Sequence, residues 1–274
     1  RILLKMLFQK TEAIEKDNKV TISYKAVLAA LKYANKYGLD EVLPGASVDL
    51  LTDSANAVKL SQRKNQIVLE EDVLEKVTQK SHIPVGAPKK DEKTLLLNLE
   101  NGMHKSIIGQ DEAVREVSEA IRRIRAGLTR EKPISFLFLG PTGVGKTETA
   151  KTLARIYFGG EAHIVRLDMS EYAPPESLSR LLNSDSGSFL DQVSSHPFSL
   201  ILLDEFEKAN EKILNLFLQV FDDGRLTGEN NKTISFTNTI IIATSNAGSE
   251  FIRENLIRNS ILKSSQLLDY LEKK

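Results

Sequence analysis

The stretch Ile134-Ser-Phe-Leu-Phe-Leu-Gly-Pro-Thr-Gly-Val-Gly-Lys-Thr147 decides how the rest of the sequence is interpreted. Its first six residues are almost all apolar, which predicts a short buried strand. A glycine-spaced turn follows, and the composition of the next residues, Thr147-Glu-Thr-Ala-Lys-Thr-Leu-Ala-Arg, favours a helix. The segment is therefore a strand, a loop with the pattern G-x-x-x-x-G-K-T, and a helix, in that order.

The residue types of this loop suit a bound phosphate. Two glycines let the backbone bend so that successive N–H groups point inward, and the start of the helix adds its positive dipole end. The lysine can reach the β- and γ-phosphates, and the threonine hydroxyl can bind Mg²⁺. A glycine-rich turn with an accidental Lys-Thr pair is the alternative, which the order of strand and helix disfavours. We predict a nucleoside triphosphate site made of Gly140, Pro141, Thr142, Gly143, Val144, Gly145, Lys146 and Thr147.

Composition limits the classes of function. The 274 residues include 37 basic and 37 acidic side chains, and a net charge of zero argues against a nucleic-acid partner. Cysteine is absent, which excludes disulfides and thiolate metal sites and fits a reducing, cytoplasmic location. No apolar run reaches the roughly eighteen residues of a membrane span, so we expect no membrane partner. The chain opens at Arg1 without a signal-peptide layout, as a fragment or a processed chain would.

The first 80 residues are expected to be helical throughout. Apolar residues recur at helical spacing in three runs, and these stripes are best explained as helix–helix core. The runs are Val27, Ala30 and Ala34 in a helix that closes at Gly38; Val48, Leu51, Ala55 and Val58; and Val73, Leu74 and Val77 in a helix that starts near Glu70. The segment from Ser81 to Lys90 contains three Pro or Gly residues and has the composition of a linker.

The remainder of the chain alternates short apolar strands with helices. Three further strands are predicted at His163–Leu167, Leu200–Leu203 and Thr239–Thr244, with a helix at Ala209–Phe221 before the last of them. This alternation predicts an α/β fold with a parallel sheet sandwiched by helices. Ligands of such sheets bind at the carboxyl ends of the strands, which is where the phosphate loop begins.

Polar residues end two of the predicted strands. Asp204 and Glu205 follow an apolar strand. The first acid suits Mg²⁺, directly or through water, and the second can polarise a water for attack on the γ-phosphate. A solvated acidic turn is the alternative, but the upstream loop favours a Walker B motif. Asn246 ends another strand, and its amide could bind the attacking water; residue chemistry alone does not separate this role from a turn asparagine. None of the four histidines has a partner at metal-ligand spacing.

Eight runs of sequence form a recognisable set. They are Ile108-Gly-Gln-Asp-Glu-Ala-Val, Ala120-Ile-Arg-Arg, Arg125-Ala-Gly-Leu, Phe136-Leu-Phe-Leu-Gly-Pro-Thr-Gly-Val-Gly-Lys-Thr, Leu167-Asp-Met-Ser-Glu-Tyr, Asp204-Glu-Phe-Glu-Lys-Ala, Asp222-Asp-Gly-Arg-Leu-Thr and Thr244-Ser-Asn. Together they resemble the second ATPase module of the Clp (heat-shock-100-type) AAA+ unfoldases. The helical start is similar to the lid subdomain of that family's first module.

The resemblance implies a role for each matching residue. Ile107 and Ile108 would border the adenine, and Lys146 with Thr147 would take the phosphates and Mg²⁺ of ATP. Asp204 would be a second Mg²⁺ ligand, and the neighbouring Glu205 the catalytic base. Asn246 would be the first sensor, which the resemblance favours over a structural asparagine.

The resemblance also implies a division of the chain and a set of partners. Residues 1–86 would form the lid-type subdomain, 87–106 a linker and lead-in helix, and 107–274 a large AAA+ subdomain without its C-terminal lid. Family members form hexameric rings that use ATP to thread unfolded or tagged polypeptides through a pore. They pass these polypeptides to a ClpP-like protease or dissolve aggregates.

The sequence departs from the family pattern in three places. The aromatic Gly-Tyr-Val-Gly pore loop is missing, and Asn183-Ser-Asp-Ser-Gly-Ser188 stands there instead. The chain ends at Lys274, before the arginine finger, second sensor and small lid, so we expect this chain alone to hydrolyse ATP poorly. No coiled-coil insertion separates Val58 from Glu70, which favours the protease-linked branch, yet Gly248–Lys274 holds no protease-docking tripeptide.

Two alternatives to an unfoldase remain open at this point. The missing aromatic loop is compatible with a nucleotide-binding AAA+ scaffold or assembly subunit that does not thread substrate. A helicase-loader-type AAA+ protein that acts on nucleic acid is a weaker alternative, because the neutral charge and the Clp-like runs oppose it.

Overall fold

The computed structural model describes residues 2–36, 43–61, 63–81, 83, 85, 90–126, 132–250 and 252. The chain divides into two compact units, Arg1–Ala87 and Pro88–Lys274. The predicted helix end at Gly38 and most of the predicted linker lie outside the described residues. Within the described residues, no helix is both long enough and apolar enough to span a bilayer.

Four helices build the described part of the first unit. They are α1 (Ile2–Asn18), α2 (Tyr24–Lys36), α3 (Gly45–Leu60) and α4 (Glu70–Ser81). Their apolar stripes meet in one core, as helices of this amphipathicity require. The most deeply buried members of this core are Leu7, Ala26, Val27, Ala30, Leu50, Leu51, Ala55, Val68, Val73 and Val77. The three predicted helical runs are therefore confirmed as core-forming helices.

Two short strands depart from the expectation that this segment is helical throughout. The strands β1 (Thr21–Ile22) and β2 (Ile67–Val68) pair in parallel between the helices. Hydrogen bonds from the Thr21 amide to the Gln66 carbonyl (2.8 Å) and from the Ser23 amide to the Val68 carbonyl (3.0 Å) complete the pair. β-Branched side chains favour extended backbone, and all four of these residues are β-branched. One residue of each strand is buried, and the pairing gives hydrogen-bond partners to backbone groups that lie outside the helices.

A four-stranded parallel sheet is the centre of the second unit. Its strands are β3 (Ile134–Leu139), β4 (Ile164–Asp168), β5 (Leu200–Asp204) and β8 (Ile240–Ser245), in the spatial order β3-β8-β5-β4. All three strand pairs are parallel. The predicted α/β class and parallel sheet are confirmed, and each predicted strand lies within one residue of the observed one.

Six helices surround this sheet among the described residues. They are α5 (Lys90–His104), α6 (Asp111–Arg125), α7 (Lys146–Leu153), α8 (Ser177–Leu182), α9 (Phe189–Ser195) and α10 (Glu211–Asp223). A π-helical turn, Ala154–Phe158, continues α7. The amphipathic stripes predicted before and after Ile107 correspond to α5 and α6.

Alternation along the strands divides the core in two. Even-numbered residues such as Leu202 and Ile242 pack with α5, α6 and α7, whereas odd-numbered residues such as Leu203 and Ile241 pack with α8, α9 and α10. Successive strand side chains point to opposite faces, so a residue's number indicates which helices it faces. The β5 and β8 strands are buried on both faces, as continuous apolar runs predict.

A small hairpin that sequence reasoning did not predict follows α10. The strands β6 (Arg225–Thr227) and β7 (Thr233–Ser235) pair antiparallel. The turn between them docks on the end of α8, where the Glu229 amide donates to the Leu182 carbonyl at 3.1 Å. Gly228 lies at the closest point of this contact.

Gly228→Ala is expected to destabilise the fold. A Cβ at this position would lie 2.5 Å from the Ser184 hydroxyl and 3.1 Å from the Leu182 carbonyl oxygen. The hydroxyl can rotate away, but the carbonyl is backbone, so the hairpin must shift. We expect a loss of about 1–3 kcal/mol in the free energy of unfolding, the usual cost of overpacking, measured by urea denaturation.

Gly102→Ala is the matched control. A Cβ there would meet Ile156 at an ordinary 3.4 Å inside helix α5, and alanine favours helix by up to about 1 kcal/mol over glycine. The control should be neutral or stabilising. Equal destabilisation by the two substitutions would contradict the close contact at Gly228.

Candidate nucleotide site

The carboxyl ends of the strands and the start of α7 enclose a cleft of about 500 Å³. The residues that line it come from the loop after β3, from α7 and from the ends of β4, β5 and β8. They are Thr142, Gly143, Gly145, Lys146, Thr147, Glu148, Lys151, Arg166, Asp168, Asp204, Glu205, Thr244 and Asn246. The structure thus brings together the predicted loop, both predicted acids and the predicted asparagine.

The loop from β3 to α7 depends on its glycines. The φ angles of Gly140, Gly143 and Gly145 are 154°, 86° and 96°, all in the left-handed region that side chains disfavour. No atom lies within 4 Å of a Cβ built at Gly143 or Gly145, so open space surrounds both positions. The loop is therefore held open by backbone conformation, and its amides can approach a ligand closely.

Lys146, the first residue of α7, closes back over the loop. Its ammonium donates to the carbonyl oxygens of Gly140 (2.6 Å) and Pro141 (3.0 Å) and to Oδ1 of Asn246 (3.0 Å). Burial lowers the pKa of Lys146, and the negative charges of Glu207, Asp204 and Glu205 oppose that shift. A partly desolvated ammonium that contacts neutral carbonyls has a strong preference for an anionic partner.

Asp204 is the most buried carboxylate of the cleft, with 6% of its surface exposed. Its Oδ1 accepts hydrogen bonds from the hydroxyls of Thr147 (3.1 Å) and Thr244 (2.9 Å). Its Oδ2 is paired with the guanidinium of Arg166. Through these contacts Asp204 joins α7, β4, β5 and β8 at one point.

The oxygens of Thr147 and Asp204 fit Mg²⁺. They are hard donors, they are adjacent, and they face a cleft with room for a phosphate. Among the described residues, no group of three or more His, Cys, Asp or Glu side chains is placed to hold a metal. A cation here would therefore take most of its ligands from phosphate and water, as Mg²⁺ in nucleotide sites does.

Glu205 has a backbone conformation that is uncommon for a residue with a side chain. Its φ is 56°, and its amide donates to the Thr244 hydroxyl at 3.2 Å. Its carboxylate is 2.6 Å from the ammonium of Lys208, and hydrogen bonding and charge from Glu205 raise the pKa of Lys208. Residues held in this region of backbone space are concentrated at functional sites.

Asn246 follows β8 and lies across the loop from Lys146. Its Oδ1 accepts from Lys146, and the Thr142 hydroxyl lies 3.4 Å from the same oxygen. The backbone amide of Asn246 donates to the Glu207 carboxylate at 3.1 Å. The side chain therefore stands where a terminal phosphate on the loop would be within reach.

The two predicted adenine neighbours are not part of this cleft. Ile107 is buried in the core beside α6, whereas the Ile108 side chain is 99% exposed. A second cavity of about 480 Å³ lies between the start of α6 and β3, and neither isoleucine lines it. Gln110 and Val144 both line this second cavity, and the Gln110 side-chain amide donates to the Val144 carbonyl at 3.1 Å.

Sequence reasoning did not identify three side chains that complete the site, namely Arg166, Lys208 and the Thr244 hydroxyl. The positions of Arg166 and Thr244 were available from alternation, since even-numbered strand residues near Asp204 must share its face. The role of Lys208 was harder to predict from the sequence, because its contact with Glu205 depends on the tight turn after β5.

Two family models match the chain. The AAA domain model (Cdc48 subfamily) covers residues 131–274, and an AAA lid domain model covers residues 3–100.

Known proteins match over most of the chain. A ClpA homolog from Pyropia yezoensis, described as an ATP-dependent Clp protease ATP-binding subunit, is 36% identical over 92% of this chain and 39% of its own length. The chaperone protein ClpB of Aquifex aeolicus is 48% identical over 69% of this chain and 20% of its own. A closed-state reconstruction of Hsp104 with ATPγS and FITC casein matches 97% of this chain and 48% of that chain, with a TM-score of 0.88 and 33% identity. The chain thus spans less than half the length of these three proteins.

Thr244→Val tests how much the Thr244 hydroxyl contributes to stability, because valine has nearly the same volume and no hydroxyl. The hydroxyl both donates to Asp204 and accepts from the Glu205 amide, so valine removes one of the two hydroxyl donors to Asp204 Oδ1 and leaves the Glu205 amide without this partner. We expect a loss of about 1–3 kcal/mol in the free energy of unfolding, measured by urea denaturation without nucleotide.

Thr244→Ser is the matched control, because it keeps the hydroxyl and removes only a methyl group. It should retain most of the stability that Thr244→Val loses. If serine and valine destabilise equally, the hydroxyl contacts contribute nothing and the methyl packing accounts for the loss.

Proposed function

Because the chain belongs to the Clp (heat-shock-100-type) AAA+ ATPases, a family of nucleotide-hydrolysing enzymes, we propose that it powers protein unfolding from the cleft described above. ATP hydrolysis at this cleft would drive the threading of polypeptides by the longer protein. One observation carries the proposal: at one edge of the sheet, the adjacent residues Lys146 and Thr147 donate hydrogen bonds to Asn246 and Asp204, respectively.

Lys146 and the loop glycines bind the phosphates in this proposal. The ammonium now rests on two carbonyl oxygens and an amide oxygen, and phosphate oxygens would replace these neutral acceptors with charged ones. The exchange is favourable because charge-assisted hydrogen bonds are stronger than neutral ones. Thr147 and Asp204 would hold Mg²⁺, which would neutralise charge on the β- and γ-phosphates when bound.

Glu205 is the proposed base. It would accept the proton of the attacking water, and Asn246 would orient that water or a γ-phosphate oxygen. Glu205 must first leave Lys208, whose ammonium lies 2.6 Å away. The ion pair is partly exposed, with 51% of the lysine side chain open to solvent, so separation costs little.

The proposed division of the chain has support from its two matches. Residues 1–86 would be the lid-type subdomain of a preceding ATPase module, 87–106 a linker and lead-in helix, and 107–274 the large subdomain of the following module. The AAA lid model over residues 3–100 and the AAA model over residues 131–274 support this order. In this proposal Ile107 and Ile108 border the adenine.

Substrates and assembly are inferred from relatives. The similar Hsp104 structure includes casein and ATPγS, which supports an unfolded polypeptide as substrate and ATP as fuel. We propose a hexameric ring in the cytoplasm for the longer protein. Relatives are named as a protease subunit and as a chaperone, so a ClpP-like protease partner and disaggregation are both compatible with the site.

A nucleotide-binding scaffold is the second candidate function, and the loop between α8 and α9 favours it. This loop contains no aromatic residue and is closed on itself. Asn183 and Asp185 exchange hydrogen bonds of 2.8 and 3.0 Å, and the Gly187 amide donates to Asp191 at 2.8 Å. A short polar loop held in this way offers no aromatic side chain to grip a polypeptide.

Glu205→Gln tests the proposed chemistry. Glutamine keeps the size of the side chain but cannot accept a proton, so we expect ATP to bind while turnover falls about 10²–10⁴-fold. Lys146→Ala should instead weaken ATP binding itself. Fluorescent-nucleotide titration and phosphate release, measured in the full-length protein, separate the two effects.

Glu229→Gln serves as the control, because this exposed residue lies on the hairpin turn away from the cleft. Turnover should match that of the unaltered protein. A Glu205→Gln variant that retains normal turnover would show that the base has been assigned to the wrong residue.

Unfolding of a tagged fluorescent substrate by the full-length protein distinguishes the two candidate functions. If the protein is an unfoldase, the substrate loses its fluorescence in the presence of ATP, and the Glu205→Gln variant does not cause this loss. A scaffold hydrolyses or binds ATP and leaves the substrate folded. Retained substrate fluorescence together with active ATP turnover would therefore favour the scaffold.

A further inference from the structure

The two oxygens of the Asp204 carboxylate have different kinds of partner. Oδ1 accepts from the neutral hydroxyls of Thr147 and Thr244. Oδ2 accepts from a cation, because Nε and Nη2 of Arg166 lie 2.9 and 2.7 Å from it. The Mg²⁺ role proposed for Asp204 therefore concerns a carboxylate that already has a counter-ion.

Strand alternation places Arg166 on the α7 side of the sheet. In β4, Val165 and Leu167 point into the core beneath α8, α9 and α10, so Arg166 and Asp168 share the opposite face. The β4–β5 register sets Asp168 beside Asp204 and Arg166 beside Leu202. Arg166 is therefore a diagonal neighbour of Asp204 and reaches it along the strand.

The contact is built to be both strong and reversible. Asp204 is nearly buried, and a buried carboxylate without a partner is strongly disfavoured. The Arg166 side chain is 53% exposed, so its guanidinium keeps much of its hydration and can leave Asp204 without being desolvated elsewhere. The neighbouring Asp168, on the same face of β4, offers a second carboxylate close to the released guanidinium.

A divalent cation and Arg166 need the same carboxylate. A cation held by Thr147 and Asp204 would lie close to the guanidinium, and two positive charges at that distance repel each other. Mg²⁺ binding is therefore disfavoured while Arg166 is paired with Oδ2.

We propose that Arg166 is a positioning residue that competes with Mg²⁺ for Asp204 and so sets the metal concentration at which the nucleotide site is loaded. The inference rests on the proposed function, since it needs nucleotide and Mg²⁺ to bind in this cleft. Without metal, Arg166 neutralises and orients Asp204. With metal bound, Asp204 would hold the cation together with Thr147, and its contact with Arg166 would weaken.

Release of a fluorescent ADP analogue from the 274-residue chain provides the test. Bound Mg²⁺ slows the release of nucleotides, so the free Mg²⁺ concentration that gives half of this slowing reports the metal affinity. Arg166→Gln should lower that concentration about tenfold, as expected when the competing ion pair between Arg166 and Asp204 is removed. The same variant should melt at a lower temperature than the unaltered chain in EDTA, and added Mg²⁺ with ADP should narrow the difference.

Two further variants sharpen the result. Arg166→Lys keeps the charge but cannot present two donors to one oxygen, so its Mg²⁺ requirement should lie between those of Arg166→Gln and the unaltered chain. Arg180→Gln removes an exposed arginine that pairs with Glu171 away from the cleft, and it should leave the Mg²⁺ requirement unchanged. A general loss of structure cannot produce a tighter metal site, so the direction of the change separates competition from misfolding.

The outcomes distinguish this inference from the function on which it rests. A Mg²⁺ requirement that is unchanged or raised in Arg166→Gln, while the analogue still binds in EDTA, overturns the competition and leaves the nucleotide site intact. An unaltered chain that binds no analogue with or without Mg²⁺ overturns the proposed function together with this inference.

Discussion

Hydrogen bonds between β8 and its two neighbours, β3 and β5, fix the arrangement on which the second unit depends. This parallel register sets Leu139 beside Ser245 and Leu203 beside Ala243, so the three strands end at one level. The phosphate-binding loop, the acidic pair and the asparagine begin where those strands stop. These groups are far apart in the sequence, and the hydrogen-bond ladder between the three strands brings them together.

The same ladder explains how polar groups are tolerated beside two apolar cores. The strands β5 and β8 are buried along their whole length, and polar side chains at and after their ends contact one another across strands instead of entering the core. Asp204 is the clearest case, because hydroxyls from α7 and β8 and a guanidinium from β4 meet its two oxygens. Lys146, Thr147, Asp204, Glu205 and Asn246 thus already have partners, and a ligand must offer better partners than these.

Much of this arrangement could be predicted from the sequence. Continuous apolar runs indicate strands that are buried on both faces, and the fixed spacing of the loop glycines and Lys146 has a direct physical reason. The roles of Asp204 and Glu205 were predicted from their position at a strand end, and that of Asn246 from the family resemblance. All three roles remain predictions that the proposed experiments address. Contacts that depend on strand register were harder to predict. Arg166, for example, reaches Asp204 only because β4 pairs with β5.

Short elements account for other differences between the predicted and the observed fold. The pairs Thr21–Ile22 and Ile67–Val68 are too brief to show a period of two, so nothing in the local pattern separates them from helix ends. The β6–β7 hairpin has strands of three residues and likewise gives little periodic signal. Its docking depends on a glycine whose lack of a side chain is needed only because Leu182 passes close by.

The division of the sheet into odd and even faces has a consequence for how this protein can change over evolutionary time. Deleting or inserting one residue within β5 would exchange the sides of Leu202 and Leu203 and carry Asp204 away from α7. Both cores and the cleft would fail together, although no single contact had been removed. Changes of length are therefore confined to the connections between strands, and these connections are where lineages built on this sheet are free to diverge.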